Sequence, residues 1–246
     1  HLTALYSYAR ECAFRTDQFQ KSAAFAGAIV SIMEREQPDS VDHAEALLRL
    51  GLVYAKYQDY QKSVPALESA VEMMANLELE DEQIQALANL GVVLENATKY
   101  DQALVSFESA ATLSHALNRE MLMARQFENI GRLYDMRMSR YAEARQNYEK
   151  ALSIYRGRGK TAMTAQVLLD LGRCHRLMGN FPEADRDYAE SLDLALSLSE
   201  NGELRAKIIM EQANNAWFQA RYQEAFSLQR EVYDLAAREH LPLMQI

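Results

Sequence analysis

Leu47-Leu48-Arg49-Leu50-Gly51-Leu52-Val53-Tyr54, followed by Tyr60-Gln61-Lys62-Ser63-Val64-Pro65-Ala66-Leu67-Glu68-Ser69-Ala70, is one copy of a pattern that runs through most of this chain. Its glycine returns as Gly91, Gly131 and Gly172, at intervals of 40, 40 and 41 residues, each time directly after Leu or Ile. A second ladder keeps the same period: Tyr60, Tyr100, Tyr141, Phe181 and Tyr222 are each followed three residues later by Ser63, Ala103, Ala144, Ala184 and Ala225. Apolar residues fall at i, i+3, i+4 and i+7, so each unit reads as a pair of amphipathic helices. A lone helical hairpin cannot bury its apolar face, and a chain of self-similar hairpins must stack.

The full pattern, Leu-x-x-Leu-Gly-x-x-Tyr with Tyr-x-x-Ala-x-x-x-aromatic-x-x-Ala, recurs as Leu87 to Ala110, Phe127 to Ala151 and Leu168 to Ser191. It resembles the tetratricopeptide repeat, in a variety with helices extended beyond the usual length of roughly 34 residues. Kinesin light chains, spindle-orientation adaptors and many bacterial regulatory proteins are similar at this level. The resemblance covers residues 42–238 and, more weakly, the first 40. It implies an all-α fold, a right-handed α-solenoid of antiparallel helix hairpins. The glycines, serines and alanines of the ladder are expected where the two helices of a hairpin touch. Leu47, Tyr54 and Leu67 are expected to fill the space between successive hairpins.

Hairpins are expected at 42–56 with 60–77, 81–97 with 100–117, 120–136 with 141–156, 161–178 with 182–198, and 202–219 with 222–238. A degenerate hairpin, 2–15 with 18–34, precedes them. The fifth hairpin is degenerate too, with Ala213 in the glycine position. No Pro/Gly/Ser-rich linker divides the 246 residues, which read as a single solenoid over 1–246. Pro38 and Pro242 fall between helices, and Pro182 in a first turn where its missing donor costs nothing. His1 in place of an initiating Met, and Leu241-Pro242-Leu243-Met244-Gln245-Ile246 as the start of a further helix, read as a segment of a longer protein.

Composition narrows the function. A net charge of −9 without basic stripes speaks against nucleic acid as a partner. No transmembrane run or secretory signal is visible, so a cytoplasmic chain with no membrane partner is expected. Cys12 and Cys174 have neither metal nor redox spacing and are expected as reduced thiols. No metal or cofactor is expected. Cys174-His175 is no catalytic pair, because adjacent helix residues point about 100° apart. Gly157-Arg158-Gly159-Lys160-Thr161 imitates the tail of a phosphate-binding loop but lacks its first glycine, Ile154 standing there, and reads as a helix C-cap and turn. No nucleophile, base and orienter set is found, and the chain is not expected to be an enzyme.

The resemblance implies that the first helix of each hairpin lines a groove. There it places Asn89, Arg125, Asn129, Arg132, Arg173, Arg176, Lys207 and Asn214, the residues expected to bind a partner. The asparagines can hold a peptide backbone through paired donor and acceptor groups, and the arginines a carboxylate. Arg125 with Glu128, and Arg132 with Asp135, are i,i+3 pairs able to neutralise each other. Arg173 and Arg176 are read as having no acid on the same face within a turn, hence as the main anion contacts. Reversing both to Glu is expected to weaken binding and leave helicity intact. Trp217 and Phe218 sit where hot-spot aromatics would serve. Leu48 and Leu52 stand where chaperone-tail-binding relatives carry Lys and Asn, which favours a different, partly apolar peptide.

Two functions follow. The first is a protein-interaction module, a scaffold or adaptor arm that binds a peptide or helix of another protein, an acidic one included, in the groove. The second is the sensory or regulatory arm of a larger signalling protein or enzyme, controlling an effector domain of the same chain outside this segment.

Overall fold

The structure is a computed structural model that describes residues 19–198 and 202–239. The expected helix at 2–15, Cys12 and the 241–246 segment lie outside the described residues. Those described form eleven helices and no strand: α1 Phe19–Glu36, α2 Val41–Lys56, α3 Tyr60–Asn76, α4 Glu80–Asn96, α5 Tyr100–Ala116, α6 Glu120–Met136, α7 Tyr141–Gly157, α8 Thr161–Leu177, α9 Phe181–Leu196, α10 Gly202–Phe218 and α11 Tyr222–Glu239. The fold is an all-α helical-repeat solenoid, with helix ends within about two residues of those the ladder predicts. Two compact units divide the chain, residues 1–122 and 123–246, with the boundary in the first turn of α6. Hairpins α2/α3 and α4/α5 belong to the first; α6/α7, α8/α9 and α10/α11 to the second.

Four of the five hairpins close on a glycine. A Cβ built on Gly51 would stand 2.6 Å from the Leu67 side chain, one on Gly91 2.5 Å from the Phe107 ring, and one on Gly131 2.7 Å from the Tyr148 ring. Gly172 stands in the same relation to Tyr188. The four partners are completely buried, which is worth ~1.5–3 kcal/mol each for Leu67 and Phe107. Leu67 therefore fills the contact within its own hairpin, not the space between hairpins, because the large side chain needs the gap that the missing Cβ leaves. The alanines of the ladder, Ala103, Ala144 and Ala184 in these hairpins and Ala225 in α11, are fully buried. Ser63 adds a hydrogen bond, its Oγ donating to the Gly51 carbonyl at 2.7 Å. Where the glycine is replaced, by Ala213, the residue opposite in the ladder is the flexible Gln229 and no ring.

The turns are equally regular. After each of α2, α3, α4 and α5 the third residue beyond the helix donates its N–H five residues back, as in Asp59 to the Tyr54 carbonyl at 3.0 Å and Lys99 to Leu94 at 2.8 Å. The middle residue of the turn is left-handed: Gln58, Glu78, Thr98 and Asn118 have φ between 56° and 61°. This is the Schellman closure, which satisfies helix-end carbonyls. Gly159, with φ of 62°, closes the Gly157–Lys160 turn in the same way, so the phosphate-loop imitation is a C-cap and turn. Between α6 and α7 the turn holds four residues, Arg137–Arg140, and its closing bond runs from Arg140 N–H to the Tyr134 carbonyl. The extra residue of the 41-residue interval is absorbed there, outside the helices.

Gly131→Ala is expected to cost about 1–3 kcal/mol, since the Tyr148 ring must move. Gly157, near the end of α7, has nothing within 4 Å of its built Cβ. Gly157→Ala is expected to be neutral or stabilising by up to ~1 kcal/mol. Denaturant unfolding of the two variants checks the contrast, and equal midpoints would contradict the packing.

Candidate functional site

The first helices of the second unit, α6, α8 and α10, share one face on which charged side chains bridge from helix to helix. Arg173 on α8 donates from Nε to Asp135 Oδ2 on α6 at 2.9 Å, and its Nη2 contacts the same oxygen. The same nitrogen lies 2.9 Å from Oδ1 of Asp170, one turn earlier on α8. The Asp135 side chain is 2% exposed and that of Arg173 22%. Gln166 completes the cluster, its Nε2 3.4 Å from Asp170 Oδ2. Arg176 continues it toward α10, where Nη2 meets Glu211 Oε2 at 2.8 Å and the guanidinium stands 5.5 Å from the centre of the Phe218 ring.

These contacts correct the expectation that Arg173 and Arg176 have no acid nearby. Asp170 and Asp135 engage the first, Glu211 the second. Burial works against the Arg173 charge, but Asp170 and Asp135 outweigh it and hold its pKa above the ordinary guanidinium value. Burial opposes the Arg176 charge likewise, and Glu211 together with Tyr188 outweighs it. Reversal of both to Glu would set a third carboxylate between Asp135 and Asp170, so it would not leave the fold intact as expected. Removing one partner of a buried pair costs about 3–5 kcal/mol because it strands a charge.

The remaining expected residues fall as follows. Arg125 is exposed on α6; Asn129 is half-buried and donates from Nδ2 to Gln126 Oε1 at 3.3 Å. Arg132 is half-buried on the same helix, and Glu128 accepts from the Tyr155 hydroxyl at 2.9 Å. Lys207 is exposed and paired with Glu203 one turn away at 2.6 Å. Asn214 is half-buried on α10. Asn89 is half-buried on α4, in the first unit. Thus the second unit gathers seven of the eight on α6, α8 and α10. Met136 and Leu177, at the ends of α6 and α8, are exposed apolar side chains, as are the expected aromatics Trp217 and Phe218 at the end of α10.

Cys174 is fully buried in α8, and burial pushes its thiol pKa up, away from a reactive thiolate. His175 Nδ1 lies 2.6 Å from Asp187 Oδ2 on α9, a structural pair within the hairpin. Among the described residues no group of three His, Cys, Asp or Glu could hold a metal ion, and no helix is long and apolar enough to cross a membrane.

The repeat pattern, the glycine contacts and the Schellman turns agree with sequence profiles described as tetratricopeptide repeat, which match residues 44–76, 120–197 and 163–238. The chain belongs to the tetratricopeptide repeat family. No catalytic family is indicated, and repeats of this family act as scaffolds for protein interaction. No curated protein sequence matches the chain. Among solved structures, BtubC (BKLC) from P. vanneervenii superposes with a TM-score of 0.77 at 15% identity, over 93% of this chain and 94% of that one. The apo form of RapI gives 0.77 at 18% identity, over 92% of this chain and 60% of RapI. A Rap protein complexed with competence and sporulation factor gives 0.60 at 15%, over 95% and 74%. At these identities the likeness carries the fold.

Asp170 sets a pH dependence. Burial pushes its pKa up to about 6, against the opposing pull of Arg173. An acid whose pKa is higher folded than unfolded disfavours folding above the folded value, and the penalty is relieved as pH falls through it. Asp187, also raised, by burial against the pull of His175, acts in the same direction. Thermal melting of the parent is therefore expected to rise between about pH 7.5 and pH 5, and Asp170→Asn to flatten that rise. A variant with the parent's slope would contradict the assignment.

Proposed function

We propose that this tetratricopeptide repeat chain is a protein-interaction module that holds a peptide or helix of a partner on the face shared by its first helices. The binding residues of this reading lie in the second unit: Arg125, Asn129, Arg132, Arg173, Arg176, Lys207 and Asn214. The observation that carries it is the accessibility of this face: Arg125 and Lys207 are exposed and Asn129 and Asn214 half-exposed on helices that cross-bridge into one surface. Asn129 and Asn214 each have amide donors and an acceptor suited to a peptide backbone. Arg173 and Arg176 act in this reading through the order they impose on the face, since each already holds a carboxylate. A solved Rap protein of this fold is complexed with competence and sporulation factor, a precedent for a helical-repeat scaffold holding a ligand.

The second reading is a regulatory arm of a larger signalling protein or enzyme. It is favoured by the fit of this chain to 60% of RapI and 69% of aspartyl phosphate phosphatase F from Bacillus subtilis, at 18% and 14% identity. There the same face would meet an effector domain or its ligand.

Peptides selected from a displayed random library against the 246-residue chain test the first reading. Their affinity is expected to fall about tenfold or more in Asn129→Ala/Asn214→Ala. It is expected to hold in Glu149→Ala/Asp193→Ala, on exposed positions of second helices α7 and α9. The opposite pattern would move recognition to the second helices and overturn the reading.

A further inference from the structure

Three of the exposed large apolar side chains of the second unit form a series. Met136, Leu177 and Phe218 are the last residues of α6, α8 and α10, spaced 41 and 41 apart, and are 57%, 42% and 62% exposed. Each directly follows a residue of the shared face: Asp135, which accepts from Arg173, Arg176, which meets Glu211, and Trp217. The series is specific to this unit, because the last residues of α2 and α4 are the polar Lys56 and Asn96. At its far end it widens into an aromatic group, Trp217 lying edge-on to Tyr222 at 4.9 Å and to Phe226 at 6.1 Å between centroids.

Charge decides what such a series would accept. The five cations expected to bind in this unit share their helices with six carboxylates, Glu120, Glu128, Asp135, Asp170, Glu203 and Glu211. Three of the cations, Arg173, Arg176 and Lys207, are already in ion pairs. An acidic partner would have to displace an intramolecular carboxylate from each, with little net gain. An apolar partner displaces only water, at about 25 cal/mol per Å² buried.

Spacing decides its form. Helices joined by direct ion pairs, as α8 is to α6 and to α10, stand roughly 8–10 Å apart, so repeat-equivalent positions on them recur at about that step. Same-face residues of a strand recur every ~6.7 Å and drift out of step. A helix rising ~1.5 Å per residue brings a residue to the same face every seven, at ~10.5 Å.

We infer that the partner element is an amphipathic helix carrying large apolar side chains seven residues apart, laid along Met136, Leu177 and Phe218. This rests on the reading that the shared face of α6, α8 and α10 binds a protein segment, and names the chemistry of that segment. Phe218, under the Arg176 guanidinium, is its anchor; Leu177 is the central contact.

The test uses peptides of roughly 18 residues, long enough for three positions seven apart, displayed as a random library and selected on the 246-residue chain. Enriched sequences are expected to carry Leu, Ile, Met or Phe at i, i+7 and i+14 and to gain helicity on binding. Their affinity is expected to drop about tenfold or more in Leu177→Glu and in Phe218→Glu, both exposed positions whose variants should melt with the parent. It is expected to change less than about threefold between roughly 50 mM and 500 mM salt, because no screened charge pair carries it. Enrichment of acidic or proline-rich peptides, or affinity untouched by both variants, overturns the inference. If such peptides still respond to Asn129→Ala/Asn214→Ala, the broader reading of the face survives alone. Absence of any enriched peptide, or binding indifferent to all these variants, overturns both.

Discussion

Four of the five hairpins in this molecule depend on a gap one methyl group wide. Gly51, Gly91, Gly131 and Gly172 leave no Cβ where Leu67, Phe107, Tyr148 and Tyr188 enter, and each entering side chain is wholly buried as a result. Without that gap the two helices of a hairpin would be held apart by the side chain meant to join them. Close approach then brings Ser63 within hydrogen-bond reach of the Gly51 carbonyl and buries the small residues of the second ladder. The stacking of hairpins is secondary to this: a unit must first present two helices as one surface before a neighbour can pack on it.

In the second unit the same close stacking turns surface charges into structural ones. Arg173 and Arg176 reach across to Asp135 and Glu211 on neighbouring first helices, with Asp170 as a second carboxylate for Arg173. Burial makes these pairs costly to break without making them strong sources of stability. Their effect is to hold register: α8 is tied by charge to α6 on one side and α10 on the other. A face stiffened in this way has fixed positions, and the groups left accessible on it are the charged ends of Arg125 and Lys207, amides and apolar ends.

The helices were legible because their determinants are local and repeated. A glycine after Leu or Ile, an aromatic nine or ten residues later and a small residue three beyond that identify a hairpin from one stretch of chain, and the four copies agree. The partner of an arginine is a different kind of fact. Asp135 and Glu211 lie 38 and 35 residues from the arginines they bind, so a reading confined to one helix does not reach them. Asp170 was within reach, since the i,i+3 rule that pairs Arg125 with Glu128 applies equally to Asp170 and Arg173. Leu67 was misplaced for a related reason: period shows that a residue is buried, not which of two neighbouring helices it is buried against. The apolar series of Met136, Leu177 and Phe218 recurs in the sequence at a spacing of 41, but period alone does not say that the three side chains are exposed.

The four-residue turn at Arg137–Arg140 bears on how such a chain can change its length. One residue added inside a helix would swing every later side chain by about 100°, taking the glycine off its ring and the arginines off their acids. The same residue placed in this turn leaves both helix faces where they were, with Arg140 still closing onto Tyr134. Length variation among natural versions of this protein should therefore accumulate between α6 and α7, and a label or epitope inserted there would report on the molecule without disturbing its repeats.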